Sequence, residues 1–204
     1  MNKKGLPDGW KIKPLDKIAH YLNGLALQKF RPKNDNNFLP VLKISQLRSG
    51  FADGKEKADI NIKSEYIVEN GDVIFSWSGS LIVDIWCGGK VALNQHLFKV
   101  TSIDYDKWFY YYWTKEHLKA FQQIAKDKAV TMGHIKRSHF SEALCIIPDK
   151  IILKKAKKII SPLLDRIISN RLDNNNLKEE RDTLLPKLMS GEIRVGVGND
   201  ANGD

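Results

Sequence analysis

Cysteine is almost absent: Cys87 and Cys145 are the only two, 58 residues apart. Two thiols at that distance form neither a disulfide framework nor a metal knuckle, so a reducing, cytoplasmic setting is expected. Long apolar runs are missing too. No stretch of about 18 apolar residues marks a membrane span. The polar start Met1-Asn2-Lys3-Lys4 leads into Pro7, Asp8 and Gly9 without the apolar core of a signal peptide.

Signatures of catalysis are equally scarce. No Asn/Asp-Pro-Pro-aromatic motif is present to hold a flipped base, and no glycine-rich loop follows the first strand to take S-adenosylmethionine. Gly88-Gly89-Lys90-Val91 lacks the upstream glycine and downstream hydroxyl of a phosphate loop. The histidines, at 20, 96, 117, 134 and 139, have no zinc-like spacing. Glu56-Lys57 is a poor match to a nuclease cluster. The chain reads as non-catalytic, with no metal site and no cofactor of its own. No internal repeat is visible.

What is present is a basic chain of 204 residues, 42% hydrophobic, with net charge +9. That length supports one domain with a sizeable core plus an appended element. Residues 1–149 carry +6, residues 150–188 carry +5 and the tail carries −2. An excess of this sign suits a polyanionic partner, although basic proteins without one are common.

Residues 1–150 read as a mixed α/β body. Strands are expected at 38–47, at 72–77 after the Asn70-Gly71 turn signal, at 91–100 and, buried, at 143–148 before Pro148, with a further apolar run at 81–86 closed by Gly88-Gly89. Segment 105–125 has helical period, with Trp108, Tyr111, Tyr112, Leu118, Phe121 and Ile124 on one face. The fold class is α+β, a globular domain followed by a long helix over 151–190 and a flexible, glycine-rich tail over 191–204. The helix carries an a/d series of Leu153, Ala156, Ile160, Leu163, Ile167, Asn170, Asn174, Leu177, Arg181, Leu184 and Leu188, which is a coiled-coil seam. Pro162 and Pro186 predict a kink or helix start and an early stop. The alternative is an amphipathic helix packed on its own domain, but about 36 residues at about 1.5 Å each exceed such a domain's width. Leu164, Ile168 and Leu172 form a second apolar stripe, which needs a cover of its own.

Three polar loops stand beside the predicted strands. The first offers Lys43, Ser45, Gln46 and Arg48; the second Trp77, Ser78 and Ser80; the third Asn94, Gln95 and His96. Arg can bind guanine and Asn or Gln adenine in bidentate fashion, while hydroxyls and Gly/Ser backbone suit phosphate oxygens. A fourth segment, with Lys126, Lys128, Thr131, His134, Lys136 and Arg137, is a compact basic patch. Taken singly, each loop is better explained as an ordinary turn. Together they describe a nucleic-acid binder, DNA or RNA, with a coiled coil. An enzyme with an unrecognised site over 76–96 and a regulatory coiled-coil dimer are the competing classes.

The order of these segments resembles the specificity subunits of Type I restriction-modification systems. Leu6-Pro7-Asp8-Gly9-Trp10 is similar to the opening of their target recognition domains. Gly71-Asp72-Val73-Ile74-Phe75-Ser76, with Gly79-Ser80 after it, resembles a family strand and loop, and Asn94-Gln95 matches a pair that follows one strand later. Ile135 to Pro148 resembles the last recognition-domain segment. Arg181-Asp182-Thr183-Leu184-Leu185-Pro186-Lys187-Leu188-Met189-Ser190-Gly191-Glu192-Ile193 is the most specific match, to the end of a spacer helix. The resemblance covers residues 6–194.

It implies a subunit whose recognition domain binds one half of a bipartite double-stranded DNA target, with the helix as spacer and docking site for methyltransferase subunits. S-adenosylmethionine would sit on those subunits, and ATP and Mg on a restriction subunit. The family has two recognition domains and two spacers in about twice this length. One of each fits a half-subunit that dimerises, a split product or a fragment. An antiparallel homodimer is expected, through Ile160, Leu163, Ile167, Asn170, Asn174, Leu177, Leu184 and Leu188.

Overall fold

The computed structural model of this chain describes residues 5–34, 36–127 and 134–194. Strands β1 (Lys11–Pro14) and β2 (His20–Asn23) are followed by β3 (Phe38–Leu42), helix α1 (Ile44–Ser49), β4 (Lys57–Asp59) and β5 (Ile67–Val68). Next come β6 (Val73–Ser76), β7 (Val83–Ile85), β8 (Val91–Leu93) and β9 (Leu97–Thr101). Helices α2 (Lys107–Glu116), α3 (Leu118–Asp127) and α4 (Arg137–Glu142) lead to β10 (Leu144–Ile147) and α5 (Lys150–Met189). The mixed α/β body and the long C-terminal helix are those the sequence predicts. Among the described residues no helix is long and apolar enough to cross a membrane.

Among the described residues the strands form three sheets. One, in the order β2-β9-β6-β7, is antiparallel throughout. A second, in the order β4-β3-β8-β5, contains the parallel pair β3 and β8. The third pairs β1 with β10. β6 lies between β9 and β7 and is buried along its whole length, as its run Val73-Ile74-Phe75 requires. Alternate residues serve different layers. Ile74 joins a cluster with Leu42, Leu47, Trp86, Leu93 and Leu97, which draws on the second sheet. Phe75 joins an aromatic cluster with Phe98, Phe121 and Phe140, which draws on α3 and α4.

Several expectations are corrected. The strand over 38–47 stops at Leu42, and the polar loop after it is α1. Leu47 N–H donates to Lys43 O (2.9 Å), and Gly50, at φ +72°, closes the helix by donating to Gln46 O, as a left-handed glycine cap does. The strand over 91–100 is two strands in different sheets. Asn94 divides them: its Oδ1 accepts from His96 N–H (3.1 Å) and its carbonyl from Leu97 N–H (3.0 Å). The helix over 105–125 is two helices meeting at His117. Thr114 Oγ1 donates to Tyr110 O at 2.7 Å, a back-bond of the kind that bends helices. The strand expected to be buried at 143–148 is half-buried, because Leu144 and Ile146 face outward while Cys145 and Ile147 face in.

α5 runs unbroken through Pro162 and Pro186, so neither the predicted interruption at 162 nor the early stop at 186 occurs. The chain divides into two compact units, residues 1–168 and 169–204. Within the first, Leu153, Ala156 and Ile160 are half-buried and Leu164 is buried, while Ile159 and Leu163 are exposed. This is the drift expected of a helix with about 3.6 residues per turn under a 3.5-residue seam. Ile160 therefore turns partly inward, and the open apolar series runs through Leu163, Ile167, Leu177, Leu184 and Leu188. Lys157 pairs with Asp106, just before α2, at 2.6 Å. Most of the expected tail, residues 195–204, lies outside the described residues.

Candidate nucleic-acid interface

Two parallel strands deliver the first and third polar segments to one place. β3 and β8 are in register at Val41 with Ala92 and Leu42 with Leu93. The next residues along, Lys43 and Asn94, are therefore neighbours where both strands end, the position at which open parallel sheets present ligand sites. A cleft of about 390 Å³ lies there, lined by Gln28, Lys43, Ser45, Glu56 and Asn94 to His96. Lys43 is paired with Glu56. Ser45 Oγ donates to Gln46 Oε1 at 2.8 Å.

The second segment is sewn to the third. The Trp77 indole N–H donates both to Asn23 Oδ1 (3.0 Å) and to Gln95 O (3.2 Å). Trp77 N–H donates to His96 O at 3.4 Å. Ser78 Oγ and His96 Nδ1 share a hydrogen bond of 3.0 Å. The fourth segment joins through Ile135 N–H, which donates to Trp77 O (3.2 Å), and through the bridge between Ser78 and His134. The His134 ring stands edge-on to Trp77. Gly24 completes the knot, since a Cβ there would lie 2.2 Å from Asn94 O.

A further cleft, of about 400 Å³, brings Arg48 from α1, Gly79 and Ser80 from the second segment, and Gln122 and Lys126 from α3 together. Lys136 and Arg137 are exposed at the start of α4. Lys136 N–H donates to His139 Nδ1 (3.0 Å), and the Arg137 guanidinium lies 5.9 Å from the Phe98 ring centre. Lys128 and Thr131 lie outside the described residues.

The named residues divide by exposure. Asn94 and Ser78 are buried and set the turn. Lys43, Gln46, Trp77, Gln95 and His96 are half-buried, and Ser45, Arg48, Ser80, Lys126, His134, Lys136 and Arg137 are exposed. The sequence reading missed Gln28 and Glu56, and it missed an adjoining cleft of about 560 Å³ whose lining includes Gln28, Arg31, Lys55, Glu56, Lys57 and Asn94. The run Gln28-Lys29-Phe30-Arg31-Pro32-Lys33 was the available signal, being dense in charge beside an aromatic.

One pair has the look of a nucleophile and its base: Cys145 Sγ lies 3.7 Å from His117 Nε2. Burial pushes the thiol up to about 12 and the imidazole below its ordinary value. Both groups are thereby held neutral, whereas a reactive cysteine needs its thiolate near neutral pH. Among the described residues no group of three or more His, Cys, Asp or Glu is placed to hold a metal.

Residues 7–180 match the family model described as Type I restriction modification DNA specificity domain. The Type I restriction enzyme MjaIX specificity subunit of Methanocaldococcus jannaschii is 27% identical over 203 residues, covering 94% of this chain and 46% of that protein. The EcoBI specificity subunit of Escherichia coli is 24% identical, covering 91% and 40%. This chain thus spans less than half the length of those relatives. Among solved structures, the Type-I restriction-modification system S subunit from M. genitalium superposes with a TM-score of 0.55 at 15% identity, over 93% of this chain and 48% of that one. That likeness concerns the fold.

Proposed function

Because this chain belongs to the Type I restriction modification DNA specificity domain family, we propose that it recognises one half of a bipartite duplex DNA target and performs no chemistry itself. The observation that supports this reading most directly is the convergence of Lys43, Ser45 and Asn94 to His96 at the ends of β3 and β8. Amide, hydroxyl and cationic side chains on a rigid turn have the chemistry that base edges require. Arg48, Ser80 and Lys126, with Lys136 and Arg137, supply phosphate contacts that position the domain. Methyltransferase and restriction subunits are the partners, with S-adenosylmethionine, ATP and Mg held on them.

A second copy provides the second half of the target. Two-fold symmetry joins the copies through α5, antiparallel about a point near residue 172. Asn170 then meets the partner's Asn174, Ile167 meets the partner's Leu177, and Leu163 lies beside the partner's Arg181. A parallel pair would instead stack Arg181 on its own copy inside the seam. The target is then a palindrome interrupted by unspecified bases. Methylome sequencing of a host with and without this gene is the test. One bipartite methylated motif disappears with the gene; an unchanged methylome contradicts the reading.

A further inference from the structure

The two clefts at the ends of β3 and β8 share Gln28, Glu56 and Asn94. Their linings carry four cations, Arg31, Lys43, Lys55 and Lys57, and a single carboxylate, Glu56, among the described residues. A carboxylate repels phosphate, so a groove serving only the DNA backbone gains nothing from one. Stability explains little either. The Lys43 and Glu56 side chains are 41% and 59% exposed, and ion pairs this open to solvent contribute little.

The backbone nevertheless holds this pair firmly. β4 runs antiparallel to β3 with Pro40 opposite Lys57, which sets Glu56 opposite Val41, and Val41 N–H donates to Glu56 O (3.0 Å). Lys43, two residues on from Val41, projects on the same side, and its carbonyl caps α1 by accepting from Leu47 N–H. A donor and an acceptor are thus presented in contact, at the junction of the two clefts.

A G·C pair carries the complementary arrangement in the major groove: guanine O6 and N7 accept, and cytosine N4 donates. O6 and N4 are themselves hydrogen-bonded across the base pair, about 3 Å apart, which matches a lysine and carboxylate already in contact. Resting on the reading of this chain as a duplex-DNA binder, we propose that the Lys43–Glu56 ion pair reads one G·C base pair of the half-site. Lys43 donates to guanine O6 or N7 and Glu56 accepts from cytosine N4. Pairing within the protein neutralises the carboxylate among phosphates and preorganises both groups.

The test is enrichment from a randomised duplex library by the full chain, followed by binding to the enriched duplex. Glu56→Met and Lys43→Met should each relax the preference at the same one base pair and weaken the enriched duplex about 10-fold, with the rest of the half-site unchanged. The double variant Lys43→Glu with Glu56→Lys should keep a preference at that position and reverse the base pair. Thermal melts of all variants separate lost recognition from lost folding. Relaxation at two different positions, or a preference intact in both single variants, overturns the assignment while the enriched wild-type motif leaves duplex recognition standing. No enrichment by the wild type overturns both.

Discussion

Trp77 ties three segments of the interface together, and replacing it with Phe isolates one of its roles. The substitution keeps an aromatic ring near His96, Phe98 and His134 and removes the indole N–H together with a small part of the ring. Two acceptors then lose their donor, Asn23 Oδ1 at 3.0 Å and Gln95 O at 3.2 Å. A made hydrogen bond contributes about 1 kcal/mol net, and an acceptor left dry costs about 1–3 kcal/mol. Trp77 is half-buried, so water reaches part of the vacated site, and the expected cost is about 1–2 kcal/mol. For a chain of this size that lowers Tm by about 2–8 °C. Trp77→Ala removes the packing too and should cost about 3 kcal/mol or more. The sharper assay is a double-mutant cycle with Asn23→Ala, which should give a coupling energy of about 1 kcal/mol. Sequence discrimination should fall further than affinity for random duplex, because Gln95 and His96 lose their support. A coupling within about 0.3 kcal/mol of zero, or equal costs for Phe and Ala, refutes the assignment of the indole N–H as the tie.

Replacing Lys126, Lys136 and Arg137 together with Ala should weaken binding to all duplexes alike and reduce the log–log salt slope by about 0.9 for each phosphate no longer neutralised; an unaltered slope contradicts a phosphate role for this patch. Cys145 is held protonated in the folded state, with burial raising it from its ordinary 9.0 to about 12, so its stabilisation is intact below pH 9.0 and lost as the pH rises above it. Denaturant melts should therefore show a decline that begins near pH 9, steepens toward about 1.4 kcal/mol per pH unit and runs on to about pH 12, and Cys145→Ala should remove this contribution. Asn170→Cys combined with Asn174→Cys, which that register sets opposite each other, should form disulfides between two copies of α5, whereas Leu188→Cys should not; efficient crosslinking at Leu188, or a monomer in solution, contradicts the antiparallel pair.

Much of this was legible in the sequence because it rests on periodicity. The run Val73-Ile74-Phe75 is apolar on both sides of a pleat, and β6 is buried on both faces. The heptad series over 153–188 makes a single helix long enough to carry both prolines. Short elements escaped for a physical reason. α1 spans six residues, too few for a helical period to show, and its clearest signal, a buried Leu47 followed by Gly50 as cap, also fits a turn. β1 and β2, in the first 25 residues, were unforeseen because their partners, β10 and β9, lie far along the chain, and pairing of that kind leaves little mark on local composition.

The polar segments show where local reading stops. Asn94-Gln95-His96 looks like three equivalent readers of base edges. Its side chains take different tasks because the turn sits between two sheets. Asn94 faces inward, where its amide oxygen holds His96 N–H and its carbonyl leaves no room for a Cβ at Gly24. Gln95 and His96 remain partly open to the cleft. The converse case is Glu56, which by sequence is one acid in the alternating charges of Lys55-Glu56-Lys57. The antiparallel register of β3 and β4 carries it to Lys43. A contact between residues 43 and 56 cannot be read from either segment alone, because pairing, not composition, determines which polar side chains meet. In a domain built from short strands, residues that share a function follow the register of the sheets more closely than the order of the motifs.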